Sequence, residues 1–586
     1  MSVKIELYLP QSFESIEADV EQGTTIEALV DKIRNGTLWA NAATASNATS
    51  PDGVNNVDAA NIATSPDAAN IADIATATLP HDAVALQVPP QQQLPYTVLA
   101  AKVNGRLKQL DYHIGSPAVV KLLDTRNSLA DRLYQNSLTL IYLVAVQKVL
   151  GTGSDARIYN ALNRGLYTEL RHSLLAGKDA AAIYNHMRDI VARNLPITEI
   201  SRRGAMIEYG LDGLTFSLFG KTVTRTGYIE KFELRPYENG ILLRYPHQRD
   251  PDVLPAYYDD YKLGDAYSQL RSWLVKHGLN FASDLNEIIV AGREKDLIKI
   301  SEDIHRKWIS KIATDIVIKS RQVVLISGPS SSGKTTFSMR LMAQIEALEG
   351  DVPLYIGTDD YFLDRKDTPR GPDGEPNYEG LEAIDRAMLA DHIARLVAGE
   401  EVDLPTFDFI EGKKIFGKRI TKLHADQVVV IEGIHALNDS LTEQMDASLK
   451  YRIYISPLVQ SGIDNHNRIP TTDLRLMRRM VRDHRTRGKS AADTIHEWPK
   501  VRAGEEVNVF PYNAAADAVF NTASPYELCA LKKYAIPLLE TIAEGTDEYQ
   551  LAKNLRDMLS FFTPIVDDSV IPKNSIIREF IGGGYI

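Results

Sequence analysis

A glycine-rich segment near the middle of the chain has the residue types that bind a polyphosphate. Residues 328–335 read GPSSSGKT, fit the pattern G-x-x-x-x-G-K-[ST], and follow the apolar run 323–326. The pattern predicts a strand, a loop whose backbone N–H groups point at phosphate, and a helix. Lys334 would reach the β- and γ-phosphates, and the Thr335 hydroxyl would hold Mg²⁺. A Gly/Ser-rich surface turn explains the glycines but not the flanking apolar positions. The predicted nucleoside triphosphate site comprises Gly328, Ser330, Ser331, Ser332, Gly333, Lys334, Thr335 and Thr336.

Two other apolar runs end in carboxylates. The segment 354–362 reads LYIGTDDYF and carries Asp359 and Asp360, and the segment 428–433 reads VVVIEG and carries Glu432. In doubly wound parallel sheets, ligands bind at the carboxyl ends of the strands, so we expect these acids to face the nucleotide. An Asp-rich turn is the alternative for the first segment. Glu432 is placed as a Walker-B-like residue that orients Mg²⁺ or its water shell.

The densest basic segment lies between residues 473 and 489. Its arginines recur three or four residues apart, and Arg487-Gly488 closes the predicted helix; the series is Arg475, Arg478, Arg479, Arg482 and Arg485. A solvated charged face is the ordinary explanation of such a run. Beside a phosphate site, however, the spacing favours a mobile lid that neutralises charge on a transferring phosphoryl group.

Length and composition set the class of protein. The chain has 586 residues, 44% of them hydrophobic and 24% charged, which predicts a soluble protein of three or four domains. The net charge of −12 argues against a general nucleic-acid or membrane coat, so RNA binding is left open but not favoured. Cys529 is the single cysteine, which excludes an intrachain disulfide and indicates a reducing, cytoplasmic location. No run of about twenty apolar residues predicts a membrane span.

The chain up to residue 118 predicts a β-grasp-like module. Residues 2–9 alternate as a strand, residues 24–33 have helical spacing, and Asn104-Gly105 marks a hairpin. Between about 36 and 93, the chain is mostly Ala, Asn, Thr, Asp, Ser and Pro, so we predict a disordered insertion.

Residues 119–280 have an α+β pattern, with predicted helices at 138–150 and 179–191 and a hairpin about Asn239-Gly240. The hairpin at 103–105 resembles the ubiquitin-like TGS module of threonyl-tRNA synthetases, and residues 163–170, NRGLYTEL, resemble a segment of the editing domain that follows it. This resemblance implies the folds of those two modules. The editing domain of that family has an H-x-x-x-H pair, whereas residues 134–141 read YQNSLTLI. We therefore expect neither catalytic zinc nor aminoacyl-ester hydrolysis.

Residues 281–320 predict a helical linker, and residues 321–586 resemble the uridine kinase and phosphoribulokinase family. The resemblance is carried by the glycine loop, by 358–362, 377–379, 404–409 and 430–434, and by 476–483 with Arg487-Gly488. It implies a P-loop kinase domain with a doubly wound parallel sheet, and so a multidomain α/β chain. It also implies catalytic roles for Lys334, Asp359, Arg482 and Arg487, with Asp359 as the base. The implied acceptor site comprises Tyr361, Tyr378, Glu379, Asp385, Phe407 and Phe409, with the acids near the ribose and the phenylalanines beside the base.

Two departures from that family concern the acceptor. Uridine kinases have Asp-His-Pro where this chain has Glu379-Gly380-Leu381, and a histidine where it has Gly412. We predict an ATP- and Mg²⁺-dependent kinase that phosphorylates the 5′-hydroxyl of a nucleoside, uridine- or cytidine-like. One alternative is a kinase for another small hydroxyl acceptor, such as a sugar phosphate, and another is an ATP-gated RNA-binding or regulatory protein. Homo-oligomerisation is left open.

Overall fold

A computed structural model describes residues 1–10, 12, 14–38, 94–170, 177–371, 374, 376–443 and 445–585. The chain divides into two compact units, Met1–Tyr134 and Gln135–Ile586. Nearly all of the predicted insertion at 36–93 lies outside the described residues. The domain boundaries at 118, 280 and 320 stay predictions.

The first unit is built on a mixed five-stranded sheet. The strands of the whole unit are β1 (Ser2–Tyr8), β2 (Ile16–Glu21), β3 (Thr24–Thr25), β4 (Val98–Val103), β5 (Arg106–Lys108), β6 (His113–Ile114) and β7 (Ala118–Asp124). The sheet order is β2-β1-β7-β4-β5, with β1 parallel to β7, and β3 pairs separately with β6. Helix α1 (Ile26–Arg34) begins after Thr25, whose side chain accepts the Ala28 N–H, and buries one apolar face. The predicted hairpin is confirmed, with positive φ at Asn104 and Gly105.

The front part of the second unit, up to about residue 280, contains two antiparallel sheets. Its elements are α2 (Ser128–Leu150, which begins before the unit boundary), β8 (Ala156–Leu162), β9 (Gly165–Leu170), α3 (Gly177–Ala192), β10 (Thr198–Arg203), β11 (Met206–Leu211), β12 (Leu214–Phe219), β13 (Glu233–Tyr237), β14 (Gly240–Arg244) and α4 (Tyr261–His277). The sheet orders are β10-β11-β12 and β13-β14-β9-β8. The predicted hairpin about Asn239-Gly240 joins β13 to β14.

The predicted linker helix at 282–318 is interrupted. Helix α5 (Ala282–Val290) ends before Gly292, which has a φ of +69°, and helix α6 (Glu294–Ile318) follows. A positive φ is incompatible with a continuous right-handed helix. Leu285 of α5 and Leu297 of α6 pack in one core with Met477 and Leu531 from the C-terminal part, so these helices are integral to the unit.

The C-terminal part contains a parallel sheet. The strands of this part of the chain, not all of which belong to that sheet, are β15 (Val323–Ser327), β16 (Leu354–Gly357), β17 (Glu401–Asp403), β18 (Thr406–Asp408), β19 (Lys413–Ile415), β20 (Ile420–Lys422), β21 (Val429–Glu432), β22 (Lys450–Ser456) and β23 (Ala518–Asn521). The sheet order is β16-β21-β15-β22-β23, and every neighbouring pair is parallel. Val323 and Leu325 pack into one core, whereas Val324 and Ile326 pack into another, so β15 is buried on both faces.

Helices surround this sheet. They are α7 (Lys334–Glu349), α8 (Arg386–Val397), α9 (Thr471–Arg487), α10 (Ala491–Asn508), α11 (Glu527–Glu540), α12 (Tyr549–Leu559) and α13 (Arg578–Ile581). The predicted arginine helix is α9, which ends at Gly488 in the left-handed conformation. None of the helices in the described part of the chain combines the length and apolar character that crossing a bilayer requires.

Candidate active site

Three adjacent strands bring the predicted chemical groups together. Strand β15 lies between β21 and β22, and β21 lies between β15 and β16. Because all these strands are parallel, the loop after β15, Asp359 after β16 and Glu432 at the end of β21 meet at one edge. The structure thus brings Asp359 and Glu432 to the edge that carries the glycine loop, whereas Asp360 accepts a hydrogen bond from Arg419.

The glycine loop has backbone positions that only glycine accommodates. A Cβ on Gly328 would lie 2.2 Å from the Ile455 carbonyl oxygen, and Gly333 has a φ of +88° immediately before helix α7. The buried hydroxyls of Ser331 and Ser332 have no hydrogen-bond partner among the described residues. Buried polar groups are ordinarily paired, so these hydroxyls suit a polar ligand such as a polyphosphate.

Lys334 lies between the loop and the acids. Its Nζ donates to the carbonyl oxygens of Gly328 at 3.2 Å and Pro329 at 3.5 Å, and it is 4.0 Å from Glu432 Oε1. The lysine side chain is 12% exposed. Its ammonium group is thus held where the loop and the acidic strand ends converge.

Glu432 and Thr335 form the predicted metal position. The Thr335 hydroxyl is 3.4 Å from Glu432 Oε2, to which the Tyr355 hydroxyl donates at 2.8 Å. Desolvation raises the pKa of Glu432 to about 7 against the opposing attraction of Lys334, and the negative charge of Asp359 raises it further. Poorly hydrated carboxylates beside a hydroxyl are a suitable donor set for Mg²⁺. No group of three or more His, Cys, Asp and Glu side chains suited to a metal occurs in the described ranges, but Mg²⁺ usually keeps waters and substrate phosphates as ligands.

Asp359 and Asp360 differ in what they contact. Asp360 accepts hydrogen bonds from Arg419 at 2.9 Å and from the Phe407 N–H at 3.2 Å. The Asp359 side chain is open to the cleft, and no described residue donates a hydrogen bond to it. Crowding by protein atoms desolvates this carboxylate and raises its pKa, although the charge of Lys334 lowers it. Asp359 is therefore accessible and poorly hydrated, whereas Asp360 is committed to the fold.

The first half of helix α9 is part of the core. Arg475 and Arg478 are 1% and 0% exposed. Arg475 pairs with Glu505 and donates to the Ser330 carbonyl at 2.9 Å. The expectation of a mobile lid is wrong for this half, because the intervening apolar residues Leu474, Met477 and Met480 anchor the helix in the core.

Arg478 braces the outer side of the glycine loop. It pairs with Glu527 and donates to the carbonyl oxygens of Ser331 at 3.3 Å and Ser332 at 3.2 Å. A further donor reaches the Thr522 carbonyl at 3.0 Å. The guanidinium is saturated with acceptors and fixes the loop from outside.

In the second half of α9, Arg479, Arg482 and Arg487 gather around Asp483, whereas Arg485 donates to the Glu579 carbonyl. Arg482 and Arg487 both approach Asp483, at 2.8 and 3.5 Å, and their charges both lower the pKa of Asp359. Arg479 is 3.4 Å from Asp483 and donates to the Ser330 hydroxyl at 2.8 Å. Sequence reasoning missed Asp483, which is 0% exposed and gathers these three arginines. The signal was the spacing of residues 479, 483 and 487, which share one helix face.

Aromatic residues form a wall beyond Asp359. Phe362 contacts Tyr378, Phe407 and Phe409 with ring centroids 5.4, 5.8 and 6.4 Å away. Phe407 is 5% exposed, but Phe409 is 60% exposed. Sequence reasoning gave Phe362 no site role, although it joins the predicted aromatic residues into one cluster.

The remaining predicted acceptor residues are placed differently. Tyr361 is 1% exposed and its hydroxyl lies 3.1 Å from His392 Nδ1, so the structure places Tyr361 in the core and not on the cleft surface. Asp385 caps α8 through the Met388 N–H at 3.1 Å and pairs with Lys414 at 2.9 Å, which occupies both carboxylate oxygens.

Glu379 belongs to the cleft. Desolvation raises the pKa of Glu379, and the positive charge of Arg479 lowers it. The negative charge of Asp359 also raises this pKa, and the positive charge of Lys334 also lowers it. Its Cβ and Cγ lie 2.8 and 3.5 Å from where a Cβ of Gly504 would be, so Gly504 makes room for this side chain against helix α10. Glu379 is therefore close enough to Asp359 and Lys334 for their charges to act on its carboxylate.

Comparison with known proteins assigns the C-terminal part. Residues 323–528 match the model of the phosphoribulokinase / uridine kinase family. A uridine kinase of Tolumonas auensis is 27% identical over 179 residues, covering 30% of this chain and 75% of that protein. A uridine kinase of Staphylococcus aureus is 30% identical over 186 residues, covering 31% of this chain and 79% of that protein. The chain belongs to the phosphoribulokinase and uridine kinase family.

Family membership gives the coarse activity. It implies an ATP-dependent phosphotransferase that acts on a small molecule. A solved structure described as a possible uridine kinase from Bacillus stearothermophilus is 20% identical to this chain. The match covers 34% of this chain and 89% of that one, with a TM-score of 0.23. The matched range 323–528 includes the glycine loop, both acids and helix α9, and it ends before helix α12.

Proposed function

We propose that this protein transfers the γ-phosphoryl group of ATP to the 5′-hydroxyl of a nucleoside. The observation that carries the proposal is the Asp359 carboxylate, which is open to the cleft beside Lys334 and the glycine loop, with an aromatic wall behind it. A carboxylate free of protein donors, next to a phosphate site, suits a base that accepts a hydroxyl proton.

The reaction needs positioning and charge stabilisation more than covalent chemistry. Asp359 would orient the acceptor hydroxyl and take its proton as the new P–O bond forms and the bond to the ADP oxygen breaks. Lys334 would compensate the charge of the phosphates, and Arg482 and Arg487 would approach the transferring group from α9. Thr335 and Glu432 would hold Mg²⁺, which when bound would supply compensation of phosphate charge.

The acceptor is proposed to lie between Glu379 and the aromatic cluster. Exposed Phe409 and half-buried Tyr378 can stack on a base, and the carboxylate of Glu379 offers two acceptor oxygens to vicinal ribose hydroxyls. Gly412 has a φ of +68°, and a Cβ there would lie 2.8 Å from the Arg365 side chain. The place where uridine kinases have a histidine thus lacks a side chain that could read the base edge.

This arrangement predicts stronger selection for the sugar than for the base. If the sugar lacks the hydroxyl that pairs with Glu379, the carboxylate is left unpaired and the binding free energy carries a large penalty. Stacking on an aromatic ring, in contrast, tolerates any base. The test is kcat/KM for ADP release across ribonucleosides and 2′-deoxyribonucleosides of all bases. We expect uridine and cytidine to react and inosine or purine nucleosides to be tolerated. Strict pyrimidine use would assign base reading to another residue, such as Tyr378 or Lys413, and no reaction with any nucleoside would favour a sugar-phosphate acceptor.

We further infer that residues 1–118 and 119–280 are a TGS-like module and an editing-type domain without hydrolytic activity. The parallel pairing of β1 with β7 and the helix α1 support the first assignment. The resemblance of residues 163–170 supports the second assignment, and the missing histidine pair at 134–141 supports the absence of hydrolytic activity. Elemental analysis of the purified protein and an aminoacyl-ester hydrolysis assay test the inference. Stoichiometric zinc or ester cleavage would overturn it.

A further inference from the structure

A pocket lies beside the beginning of helix α7, which follows the glycine loop. Its volume is about 280 Å³, and its walls come from the first turns of helix α7 and from residues 573–585, here named the C-terminal segment. Thr336, Met339, Arg340 and Ala343 form the α7 wall, and Tyr585 lies on the opposite wall. Apolar atoms provide most of the accessible pocket surface, although Lys573, Arg578 and Glu579 also line it. The C-terminal segment is outside the family match at 323–528.

The pocket opens next to the last donors of the phosphate loop. Glu579 Oε2 accepts the Thr336 N–H at 3.1 Å and the Thr336 hydroxyl at 2.9 Å. Helix α7 begins at Lys334, so the Thr336 N–H is one of the helix-terminal donors without an intrahelical partner. A carboxylate therefore occupies donors that elsewhere in such loops bind phosphate oxygens.

The C-terminal segment is held firmly in this place. Arg578 is 8% exposed and donates to the carbonyl oxygens of Gly582 at 3.1 Å and Ile571 at 2.8 Å. Arg485 of helix α9 donates to the Glu579 carbonyl at 3.1 Å. Phe580 is fully buried in the core beneath the sheet. The pocket wall is thus fixed to the same helix that carries the cleft arginines.

We propose that this pocket takes the nucleobase of ATP and that Glu579 yields the Thr336 donors to a phosphate oxygen when the nucleotide binds. The proposal rests on the proposed function, because it assigns a binding position to that reaction's phosphoryl donor. A flat aromatic base suits the apolar surface that Met339 and Tyr585 contribute to the pocket, while Arg340 is held by Glu302 at 3.0 Å. The volume lies just below the range of about 300–1,000 Å³ for whole drug-sized ligands, which suits one part of a nucleotide.

Charge makes Glu579 a competitor of the nucleotide. The two Thr336 donors cannot serve the carboxylate and a phosphate together, and like charges at one position repel. The negative charge of Glu579 also raises the pKa of Glu432, so Glu579 acts electrostatically on the same site. Nucleotide binding must therefore displace the Glu579 side chain.

The test compares two tryptophans on one helix. Ala343→Trp fills the pocket, whereas Ala347→Trp, one turn further along α7, is a matched control because Ala347 is equally exposed and lines no part of the pocket. Dissociation constants are measured by calorimetry for ATP and for inorganic tripolyphosphate, which has the phosphates but no base. We expect Ala343→Trp to weaken ATP at least about tenfold while tripolyphosphate changes less than about twofold. We expect Ala347→Trp to change neither.

Other outcomes overturn the proposal in distinct ways. Unchanged ATP affinity in Ala343→Trp would place the base elsewhere, and equal weakening of ATP and tripolyphosphate would show general damage to the loop. Glu579→Gln should tighten both ligands by removing the competing charge, and unchanged or weaker binding would refute that role. ATP binding does not involve the acceptor, so failure of all nucleosides to react would leave these results standing. Absence of ATP binding by the unsubstituted protein would overturn this proposal together with the proposed function.

Discussion

On the outer side of the glycine loop, Arg475 and Arg478 are buried and paired with Glu505 and Glu527, whereas on the inner side Asp359 and Lys334 face a cleft. Both sides use charged side chains next to the same backbone. Burial of an ion without complete pairing is very costly, so the outer charges are saturated with partners. On the inner side, the Asp359 carboxylate keeps unsatisfied bonding capacity and a raised pKa, which are the properties that a proton transfer uses.

The comparison separates stability from chemistry. Substitutions on the outer side should lower the free energy of unfolding, and substitutions on the inner side should lower turnover without unfolding the protein. The following predictions test that separation.

The largest expected effect is that of Asp359→Asn. We expect kcat to fall by about 10²–10⁴ because the amide cannot accept the hydroxyl proton. ATP affinity and the melting temperature should stay near those of the unsubstituted protein, since the amide is isosteric and Asp359 receives no hydrogen bond from a described residue. Asp360→Asn is the matched control, measured in the same steady-state assay. Near-normal turnover by Asp359→Asn together with a large loss in Asp360→Asn would transfer the role of base to Asp360.

A comparable energetic effect on folding is expected for Arg478→Met on the outer side. Removing this guanidinium leaves Glu527 buried and unpaired, which should cost about 3–5 kcal/mol in the free energy of unfolding, measured with urea. Arg487→Met is the control on the same helix. Its side chain is 60% exposed, so stability should change by less than about 0.5 kcal/mol while turnover falls.

A second outer-side substitution sharpens this result. Replacing Glu527 with Leu in the Arg478→Met background removes the unpaired charge, and part of the lost stability should return. Equal stability of the Arg478 and Arg487 variants would end the distinction between the two halves of α9.

Lys334→Ala should have a somewhat smaller effect on kcat, of about 10²–10³, and should also weaken ATP binding. The lysine lies against the loop carbonyls and the acids, so its loss removes positive charge from the phosphate position. Stopped-flow nucleotide binding distinguishes it from Asp359→Asn, which keeps ATP affinity. Unaltered ATP affinity in Lys334→Ala would show that Lys334 acts only after binding.

The smallest expected effect is on the pH dependence of the free energy of unfolding, and it comes from buried His305. Desolvation lowers the pKa of buried His305 to about 4, with Glu302 opposing and Arg340 and Arg478 adding to the shift. An unfolded histidine has a pKa of about 6.5, so the unfolded chain binds the extra proton between those values. The contribution of His305 to the free energy of unfolding is therefore complete above pH 6.5. It decreases as the pH falls toward 4, by up to about 1.4 kcal/mol per pH unit. Urea unfolding at pH 7, 6 and 5 should show a shallower decline in His305→Asn, and an unchanged slope would exclude His305.

Several features could be predicted because they depend on short-range pattern. The strand, loop and helix at 323–349 follow from apolar periodicity and from glycines at positions with a positive φ or a close approach. The meeting of Asp359 and Glu432 at one edge follows from parallel pairing of buried strands. The hairpins at 104–105 and 239–240 follow from turn chemistry.

Other features were misjudged because local pattern does not contain them. Spacing alone placed five arginines on a broad face of α9, and it gave no reason for Arg475 and Arg478 to be buried. Tyr361 belongs to a matching motif, yet its ring turns into the core to meet His392 from α8. Gly292 interrupts the linker helix through a φ that the apolar spacing around it does not reveal.

Local sequence pattern is enough to predict a phosphate-binding loop, two acid-tipped strands and an arginine helix, because each depends on residues a few positions apart. Which charged side chains are paired and which face the cleft depends on contacts between residues that are distant in sequence. Glu505 and Glu527 lie 30 and 49 residues from the arginines that they pair with, and Glu579 lies 243 residues from Thr336. The cost of burying an unpaired charge selects such partners in three dimensions, and this selection leaves Asp359 open to the cleft.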